Sequence, residues 1–315
     1  MERVIEALLG CLIISTTVGL VIQSGGVFNT AGYRGRIIAG NIANSIIFSN
    51  QLYDILFDEG DLGYVREMVL EYERKLSIDL MCKIRYIGCN GSVEFQVDSS
   101  NNIESLASSR CEVPSSEIKV FAVSYRDEYC NGSTALIEVA VTRGNGAIAR
   151  GKVLVEIYDP KGEILCFTTA SWREEIYECE VEIPSDAEPG EYTVKITYIG
   201  EAVKEYTTSF RVKLGEPLYR SELLVERRVW SVGETVKLFL SGRYQEGAEI
   251  SYVVYNSWGR REYYRGVLVP PNLTLCIPLN KWCSGPGPYL VSVSGLNRIV
   301  IVEPYLVEVV VGVGL

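Results

Sequence analysis

The most constraining feature of this chain is a long stretch, starting near residue 117, in which apolar and polar residues alternate. In its first half, seven alternating runs are separated by turn sequences such as G-N-G at 144–146 and D-P-K-G at 159–162. A side-chain period of two is typical of a β-strand with one buried face. Seven such strands in roughly 100 residues indicate an immunoglobulin-like β-sandwich.

The second half of this stretch repeats the first. The sequence P-G-E-Y-T-V-K-I, which begins at Pro189, returns as P-G-P-Y-L-V-S-V from Pro286, an offset of 286 − 189 = 97 positions. S-T-A-L-I-E-V-A-V from Ser133 likewise corresponds to G-E-T-V-K-L-F-L-S from Gly233. Internal repeats of this kind predict tandem copies of one structural unit. We therefore expect two immunoglobulin-like sandwiches, over residues 116–214 and 215–315.

Residues 27–115 have a different pattern and are predicted to form a small α+β domain. Apolar residues recur at helical spacing between Arg34 and Phe57 and again from Leu62 to Leu76, with Asp61 as a candidate N-cap of the second helix. The period then changes to two, and G-C-N-G-S at 88–92 marks the turn of a β-hairpin. The predicted fold class is thus mainly β, with an N-terminal apolar helix and a small α+β head before two tandem sandwiches.

Residues 1–26 are predicted to form an apolar helix that anchors the chain. Sixteen consecutive uncharged residues run from Ala7 to Ile22, and extension to Val4 reaches about 28 Å at the helical rise, close to the thickness of a bilayer core. Two alternatives stay open. One is a cleaved signal peptide, although the segment has only Arg3 as a basic residue and a poor cleavage site. The other is a helix buried in the protein core.

The order V-I-E-A-L-L-G-C-L-I-I at 4–14 resembles the start of archaeal type IV pilin-like proteins. In that family a glutamate precedes a long apolar helix, which serves first as membrane anchor and then as filament core. The resemblance implies that Glu6 takes part in assembly by pairing with a neighbouring subunit's terminus. The sequence departs from the family pattern in one respect, because the short basic leader of a prepilin is missing from it. The alternative explanation of Glu6 is a glutamate at the membrane interface beside a simple anchor.

A second resemblance concerns the last third of the chain. V-W-S-V-G-E-T-V-K-L-F-L-S-G and P-G-P-Y-L-V-S-V-S-G, within residues 222–312, resemble macroglobulin-like and other bacterial and archaeal immunoglobulin-like surface domains. This resemblance implies a fold and says nothing about activity.

Nine cysteines are many for a cytosolic protein of 315 residues. Cys11 lies in the apolar run, and the other eight fall into sequence neighbours. Locality suggests four disulfides, although eight cysteines allow 105 connectivities: Cys82–Cys89, Cys111–Cys130, Cys166–Cys179 and Cys276–Cys283. Structural disulfides imply an extracellular location or the interior of a hyperthermophile.

Three N-glycosylation acceptors support an exterior location, at Asn90, Asn131 and Asn272. The first two stand in identical C-N-G-S sequences, where Asn-Gly is typical of a tight hairpin turn. We expect both asparagines on exposed turn tips beside disulfides.

Composition excludes several classes of function. The chain has no histidine, so it cannot use a Ser-His-Asp triad or imidazole metal ligands. A net charge of −10 without a basic stripe argues against nucleic acid as a partner. G-N-G-A-I-A at 144–149 formally fits a dinucleotide-binding fingerprint, but a strand follows it where that motif requires a helix. We expect no enzyme activity, no cofactor and no metal site.

Two weaker candidate sites have ordinary structural explanations. Acidic residues at 58, 59 and 61 surround a helix break and suit capping better than cation binding. Tyrosines at 252, 255, 263 and 264, with Trp258 between them, suit strand packing better than an aromatic binding surface.

The sequence favours an exported surface protein that is a pilin-like or filament-associated subunit. Its expected partners are the membrane, through the N-terminal helix, and other copies or surface subunits. The alternative is a membrane-anchored adhesion protein whose sandwiches recognise a protein or a glycan. A hydrolase with accessory sandwiches lacks a catalytic constellation.

Overall fold

A computed structural model describes the following residues of the chain: 30–47, 63–88, 92–98, 103, 105–112, 117–215, 222–241, 249–256, 261–267, 273–278 and 286–314. These residues form two helices and twenty-one strands, so the described part of the chain is mainly β, as predicted. None of the described helices is both long and apolar enough to cross a membrane. The apolar segment at 1–26 lies outside the described residues.

The N-terminal unit consists of two helices packed on one face of a four-stranded sheet. Helix α1 spans Thr30–Ile47 and helix α2 spans Gly63–Leu76. The strands are β1 (Asp79–Ile87), β2 (Ser92–Asp98), β3 (Ser105–Glu112) and β21 (Leu306–Gly314), in the order β2-β1-β21-β3. The predicted hairpin is confirmed, because β1 pairs antiparallel with β2.

The helices form because their apolar residues recur every three to four positions and meet the apolar row of the sheet. Ala39, Ala43 and Ile46 on α1 and Val65 and Val69 on α2 are buried in one core with the inward-facing side chains of β1 and β21. After α2, Ser77 adopts a positive φ of 51°, which ends the helix before β1 begins.

The position of β21 differs from the predicted domain layout. The sequence predicts that residues 306–314 belong to the second sandwich, but in the structure they pair with β1 on one side and β3 on the other. Val307, Val309, Val311 and Val313 face the helices and are fully buried or nearly so. The chain therefore returns to its first sheet after passing through both sandwiches. The other expected domain boundaries stay predictions.

The first sandwich contains the seven predicted strands and two additional short strands. In chain order they are β4 (Ile118–Ser124), β5 (Glu128–Cys130), β6 (Thr134–Arg143), β7 (Lys152–Tyr158), β8 (Ile164–Thr169), β9 (Ser171–Arg173), β10 (Ile176–Glu182), β11 (Gly190–Ile199) and β12 (Val203–Lys213). The two sheets have the orders β4-β6-β10-β9 and β5-β12-β11-β7-β8. The first order and the triplet β12-β11-β7 correspond to ABED and GFC of an immunoglobulin domain.

A tyrosine corner supports this assignment. Tyr192, near the start of β11, is buried and donates its hydroxyl hydrogen bond to the carbonyl oxygen of Glu188 at 3.0 Å. Such a bond, from a tyrosine at the start of strand F to the backbone a few residues upstream, is a hallmark of the fold. In the second repeat the corresponding residue, Tyr289, is also buried.

The second sandwich repeats the topology of the first. Its strands are β13 (Glu222–Val225), β14 (Val229–Trp230), β15 (Thr235–Ser241), β16 (Glu249–Asn256), β17 (Arg261–Val267), β18 (Leu273–Pro278), β19 (Gly287–Val293) and β20 (Leu296–Val302). Their orders are β13-β15-β18 and β14-β20-β19-β16-β17. In both copies a short strand pairs in parallel with the last strand, β5 with β12 and β14 with β20. The repeat in the sequence is thus a repeat of fold.

Candidate functional site

The two sandwiches are joined through the outer face of β6. In a sheet with one solvated face, alternate residues of a strand are exposed. On β6, however, Ile137, Val139 and Val141 fill the sandwich interior, and the opposite row, Glu138, Ala140 and Thr142, is buried as well. Ala140 packs in a separate apolar cluster with Ile299 and Ile301 of β20. The second sandwich therefore covers this face of the first.

A group of four charged residues lies in this joint, two of them buried and two half-buried. Glu138 on β6 stands directly opposite Glu178 on β10, a like-charge pair that would be destabilising on its own. Two arginines from the second sandwich compensate for it. Arg228 Nη2 lies 2.7 Å from Glu138 Oε1 and 3.2 Å from Glu178 Oε1, and Arg298 Nη1 also pairs with Glu138.

Glu138 is completely buried, and Arg228 is almost so. The backbone N–H of Ile299 donates a further hydrogen bond to Glu138 Oε2 at 2.9 Å. Burial, followed by the neighbouring charge of Glu138, raises the pKa of Glu178, and the arginines only partly offset this. The carboxylate of Glu138 thus accepts hydrogen bonds from two arginines and one backbone amide, all of which belong to the opposite sandwich.

A polar seam extends the joint beyond these charges. The segment between β4 and β5 runs beside the β19–β20 turn, where Asn297 N donates to the carbonyl of Tyr125 at 2.7 Å and Asp127 N donates to that of Gly295 at 3.1 Å. The side-chain amide of Asn297 donates to Asp127 Oδ1 at 2.7 Å and to the Ser124 carbonyl at 3.0 Å. Backbone bonds across the joint hold the sandwiches in one relative orientation.

The G-N-G turn at 144–146 also contacts the second sandwich. It follows β6 and is closed by an antiparallel bridge between Thr142 and Ile148, so a turn is present where a dinucleotide site would require a helix. Gly146 has a φ of +83°, and a Cβ there would lie 2.7 Å from the Val302 carbonyl oxygen and 2.8 Å from the Gly287 nitrogen. Only glycine fits at this contact.

An ionic row crosses the N-terminal sheet on the face away from the helices. Glu94, Arg85, Glu308 and Arg110 stand in direct register on β2, β1, β21 and β3, so their charges alternate in sign across all four strands. Arg85 Nη1 lies 2.9 Å and Arg110 Nε 2.7 Å from Glu308. Although burial raises the pKa of Glu308, hydrogen bonds from Arg110 and Ser108 and the two arginine charges outweigh it and lower that pKa below its ordinary value.

For one of the four predicted disulfides, both cysteines lie in the same core. Cys166 on β8 and Cys179 on β10 are thiols in this structure, and both belong to the core of the first sandwich, on strands of opposite sheets. Burial first, then the charge of Cys166, raises the pKa of Cys179 to about 11. The structure therefore brings this pair together without a bond between the sulfurs, and the disulfide stays a prediction.

The pair Cys111–Cys130 has less support. Cys130 is a buried thiol at the end of β5, beside Lys213 of the first sandwich, whereas Cys111 pairs with Val307 in the N-terminal sheet. Cys82 is buried on β1, and Cys276 lies on β18 opposite Lys237. Their predicted partners, Cys89 and Cys283, lie outside the described residues, so those two pairs are not tested.

The sequon at Asn131 lies on a turn, but the predicted hairpin is wrong. Ser133 N donates to the Cys130 carbonyl at 3.1 Å, and the positive φ of 75° belongs to Gly132. The turn connects β5 and β6, which belong to different sheets, so it crosses between the layers. Asn131 is half-buried; its side-chain amide donates to the Ser185 carbonyl. Asn90, Asn272 and Glu6 lie outside the described residues.

Among the described residues, no group of three or more acidic or cysteine side chains is arranged to hold a metal ion. Two shallow hollows lie on the outer face of the β5-β12-β11-β7-β8 sheet and share Glu191. One, of about 310 Å³, is lined by Asp127, Glu128, Glu191, Ser209, Phe210 and Arg211. The other, of about 550 Å³, is lined by Tyr158, Asp159, Pro160, Gly162, Glu191 and Thr193.

No protein-family model and no curated protein matches the chain. Similar solved structures include Escherichia coli alpha-2-macroglobulin activated by porcine elastase, at 14% identity and a TM-score of 0.29, covering 60% of this chain and 20% of that one. Salmonella alpha-2-macroglobulin reacted with methylamine is 13% identical, with a TM-score of 0.28 and coverage of 72% and 19%. Yersinia pseudotuberculosis adhesin InvE is 12% identical, with a TM-score of 0.26 and coverage of 58% of each chain.

The chain thus spans about a fifth of the length of the macroglobulins that it resembles. TM-scores below 0.3 carry no argument about this chain's function. The immunoglobulin-like assignment rests instead on the strand orders, the parallel short strands and the tyrosine corner described above.

Proposed function

We propose that this chain is an exported, surface-displayed structural protein, a pilin-like or filament-associated subunit. In this proposal residues 1–26 anchor the chain in the membrane and form the assembly core, and residues 30–314 form the displayed body. Its partners are the membrane and other copies of itself or related surface subunits. It has no nucleic-acid partner, no cofactor and no catalytic activity of its own.

The observation that carries this proposal is the construction of the joint between the sandwiches. Tandem domains that move independently are joined by exposed linkers and small polar contacts. Here Glu138, Arg228 and Arg298 are desolvated together, and Asn297 adds bonds to the backbone of the first sandwich. A buried charge group of this kind favours one arrangement, because any other would leave charges buried without partners.

The return of β21 to the first sheet supports the same function. The chain leaves the N-terminal unit after β3 and re-enters it at β21, so two covalent connections join that unit to the sandwiches. Tyr86 and Tyr305 pack with ring centroids 5.2 Å apart near this second connection. A body whose parts keep a constant orientation suits a subunit that repeats in an assembly or projects from a surface.

Deleting residues 1–26 tests this proposal. We expect a soluble, folded body that no longer forms filaments, whereas the full chain gives filaments or membrane-bound material in electron micrographs. The substitution Glu6→Ala should weaken assembly and leave membrane insertion intact, because only the intersubunit pair is lost. Normal filaments from the deletion variant would contradict the role of the apolar segment. Detergent-soluble monomers of the full chain at every concentration would contradict the filament role.

One observation favours the alternative, an anchored adhesion protein. On β8, at the edge of the first sandwich, Ile164 and Phe167 are exposed to 63% and 61%. They lie beside the hollow that Tyr158 lines, on the outer face of the sheet. If adhesion is the function, the double substitution Ile164→Ser and Phe167→Ser should abolish binding of the purified protein to cells. If deletion of residues 1–26 abolishes filaments but leaves binding to cells unchanged, the two functions are separate.

A further inference from the structure

The N-terminal strands by themselves form a split sheet. Strand β2 pairs with β1, but β3, which follows β2 in the chain, does not join this pair. Strand β21 lies between β1 and β3, antiparallel to both, at register positions that extend over the whole of β1. The segment 79–112 therefore builds a gap that is one strand wide, and a strand from beyond both sandwiches fills it.

This gap selects the sequence of its strand. Facing the helices, it takes four valines in alternation, Val307, Val309, Val311 and Val313, all buried. On the other face, it places a single carboxylate, Glu308, between Arg85 and Arg110. A shift of one residue would turn the valines outward and bring Glu308 against the helices, so only one register is compatible. The recognition is determined by the strand and is independent of the chain that supplies it.

The connection that delivers β21 is short. Strand β20 ends at Val302 and β21 begins at Leu306, which leaves Glu303, Pro304 and Tyr305 between them. Proline fixes its own φ and restricts the residue before it to extended conformations. Exchange of an identical element between copies is a low-cost route to a dimer, and short hinge loops favour it, because every contact of the element is re-formed in the partner.

We propose that the gap between β1 and β3 is a strand-acceptor site for residues 306–314 of a second copy of this chain. In the exchanged form each copy donates its β21 to another copy and accepts one in the same register, with the same valine row and the same Arg85–Glu308–Arg110 contacts. This interaction goes beyond the proposed function. It needs no part of residues 1–26, and it gives the displayed body its own means of connecting subunits.

Cysteine cross-linking between different chains tests the exchange. Ser108 on β3 and Val310 on β21 are direct partners on the face away from the helices. Chains that carry Ser108→Cys are mixed with chains that carry Val310→Cys, refolded together and oxidised, and the linked peptides are identified by mass spectrometry. We expect a covalent dimer that joins these two positions of different chains.

Two controls make the result decisive. The double variant with both substitutions in one chain shows that the positions can be linked at all. A second mixture uses Thr193→Cys and Ser209→Cys, which are direct partners on β11 and β12 of the first sandwich. These two strands are consecutive in the chain and form one hairpin, so their local pairing within a single chain competes with exchange. We expect no dimer linked at this pair.

The proposal is overturned if the double variant links within single chains while the mixed sample gives no dimer linked between positions 108 and 310. It is equally overturned if the control mixture gives as much linked dimer as the test mixture, because the links would then reflect random collisions. Failure of the double variant to link in any form would contradict the placement of β21 itself. None of these outcomes depends on filaments, so the exchange and the proposed function can fail separately.

Discussion

Replacing Glu138 removes the acceptor that two arginines, one buried and one half-buried, share. Its carboxylate accepts hydrogen bonds from Arg228 Nη1 and Nη2, from Arg298 Nη1 and from the backbone N–H of Ile299. Glu138→Gln keeps the side-chain volume but removes the negative charge and turns an N–H donor toward the arginines. Removing one partner of a buried ion pair costs about 3–5 kcal/mol, because the other charge stays buried and uncompensated.

The remaining carboxylate limits this loss only in part. Glu178 lies 3.2 Å from Arg228 Nη2, whereas the carboxylate that pairs with Arg298 is the one that the substitution removes. We therefore expect a loss of about 3 kcal/mol, at the lower end of the range for a broken buried pair. The matched control is Glu182→Gln, an exposed glutamate on β10, which should change stability by no more than about 0.5 kcal/mol.

Denaturant unfolding measures the loss, and hydrogen exchange locates it. In Glu138→Gln the amide of Ile299 should exchange faster, because it lies 2.9 Å from the missing carboxylate oxygen. The amide of Val194, in the interior of the first sandwich, should keep its protection until that sandwich unfolds. If Glu138→Gln and Glu182→Gln unfold at the same denaturant concentration, the charge group does not hold the sandwiches together and our reasoning is refuted.

Three further predictions concern other parts of the body. Gly146→Ala should lower the midpoint of denaturant unfolding more than Gly162→Ala. Both glycines have a positive φ, but only a Cβ at position 146 would meet backbone atoms within 3 Å. Equal midpoints for the two variants would argue against a tight contact at Gly146. Glu308→Gln should make the free energy of unfolding depend less on pH in acid. In the folded protein the pKa of Glu308 lies below its ordinary value, so its stabilisation is complete above the ordinary glutamate pKa and is lost as the pH falls through the folded pKa. The same decrease in unfolding free energy in acid for the variant and the original protein would contradict this. In protein folded under oxidising conditions, peptide mapping should find Cys166 joined to Cys179, and the serine double variant should be less stable by about 3 kcal/mol; free thiols at both positions would contradict it.

Much of the β architecture could be predicted from the sequence, because a period of two identifies strands and the P-G-x-Y repeat identifies equivalent strands. The same period does not say which sheet a strand joins. The row of valines in β21 fits the second sandwich as well as the N-terminal sheet, so its position could not be predicted from alternation alone. The connection at Asn131 could not be predicted for a similar reason, since Cys-Asn-Gly-Ser indicates a turn but not the strands that it connects.

The buried charge group has no clear signal in the sequence. On the outer row of β6, Glu138 and Thr142 are polar and only Ala140 between them is apolar, so the row matches that of a solvated face. The sequence could not predict Arg228 or Arg298 as partners of Glu138, because their separations of 90 and 160 residues from Glu138 are determined by how two domains pack.

The central position of β21 also has a consequence for the order in which the chain can fold during synthesis. The residues of β3 are complete at Glu112, but the strand that fills their sheet ends only at Gly314, after both sandwiches. At about 5–20 residues per second, the ribosome needs roughly 10–40 s to cover that distance. Throughout this interval β1 and β3 each expose an unpaired edge, and both sandwiches can fold before the unit that precedes them is finished. The N-terminal unit is therefore made before the two sandwiches but becomes complete only after them, and it needs protection from other nascent chains until then.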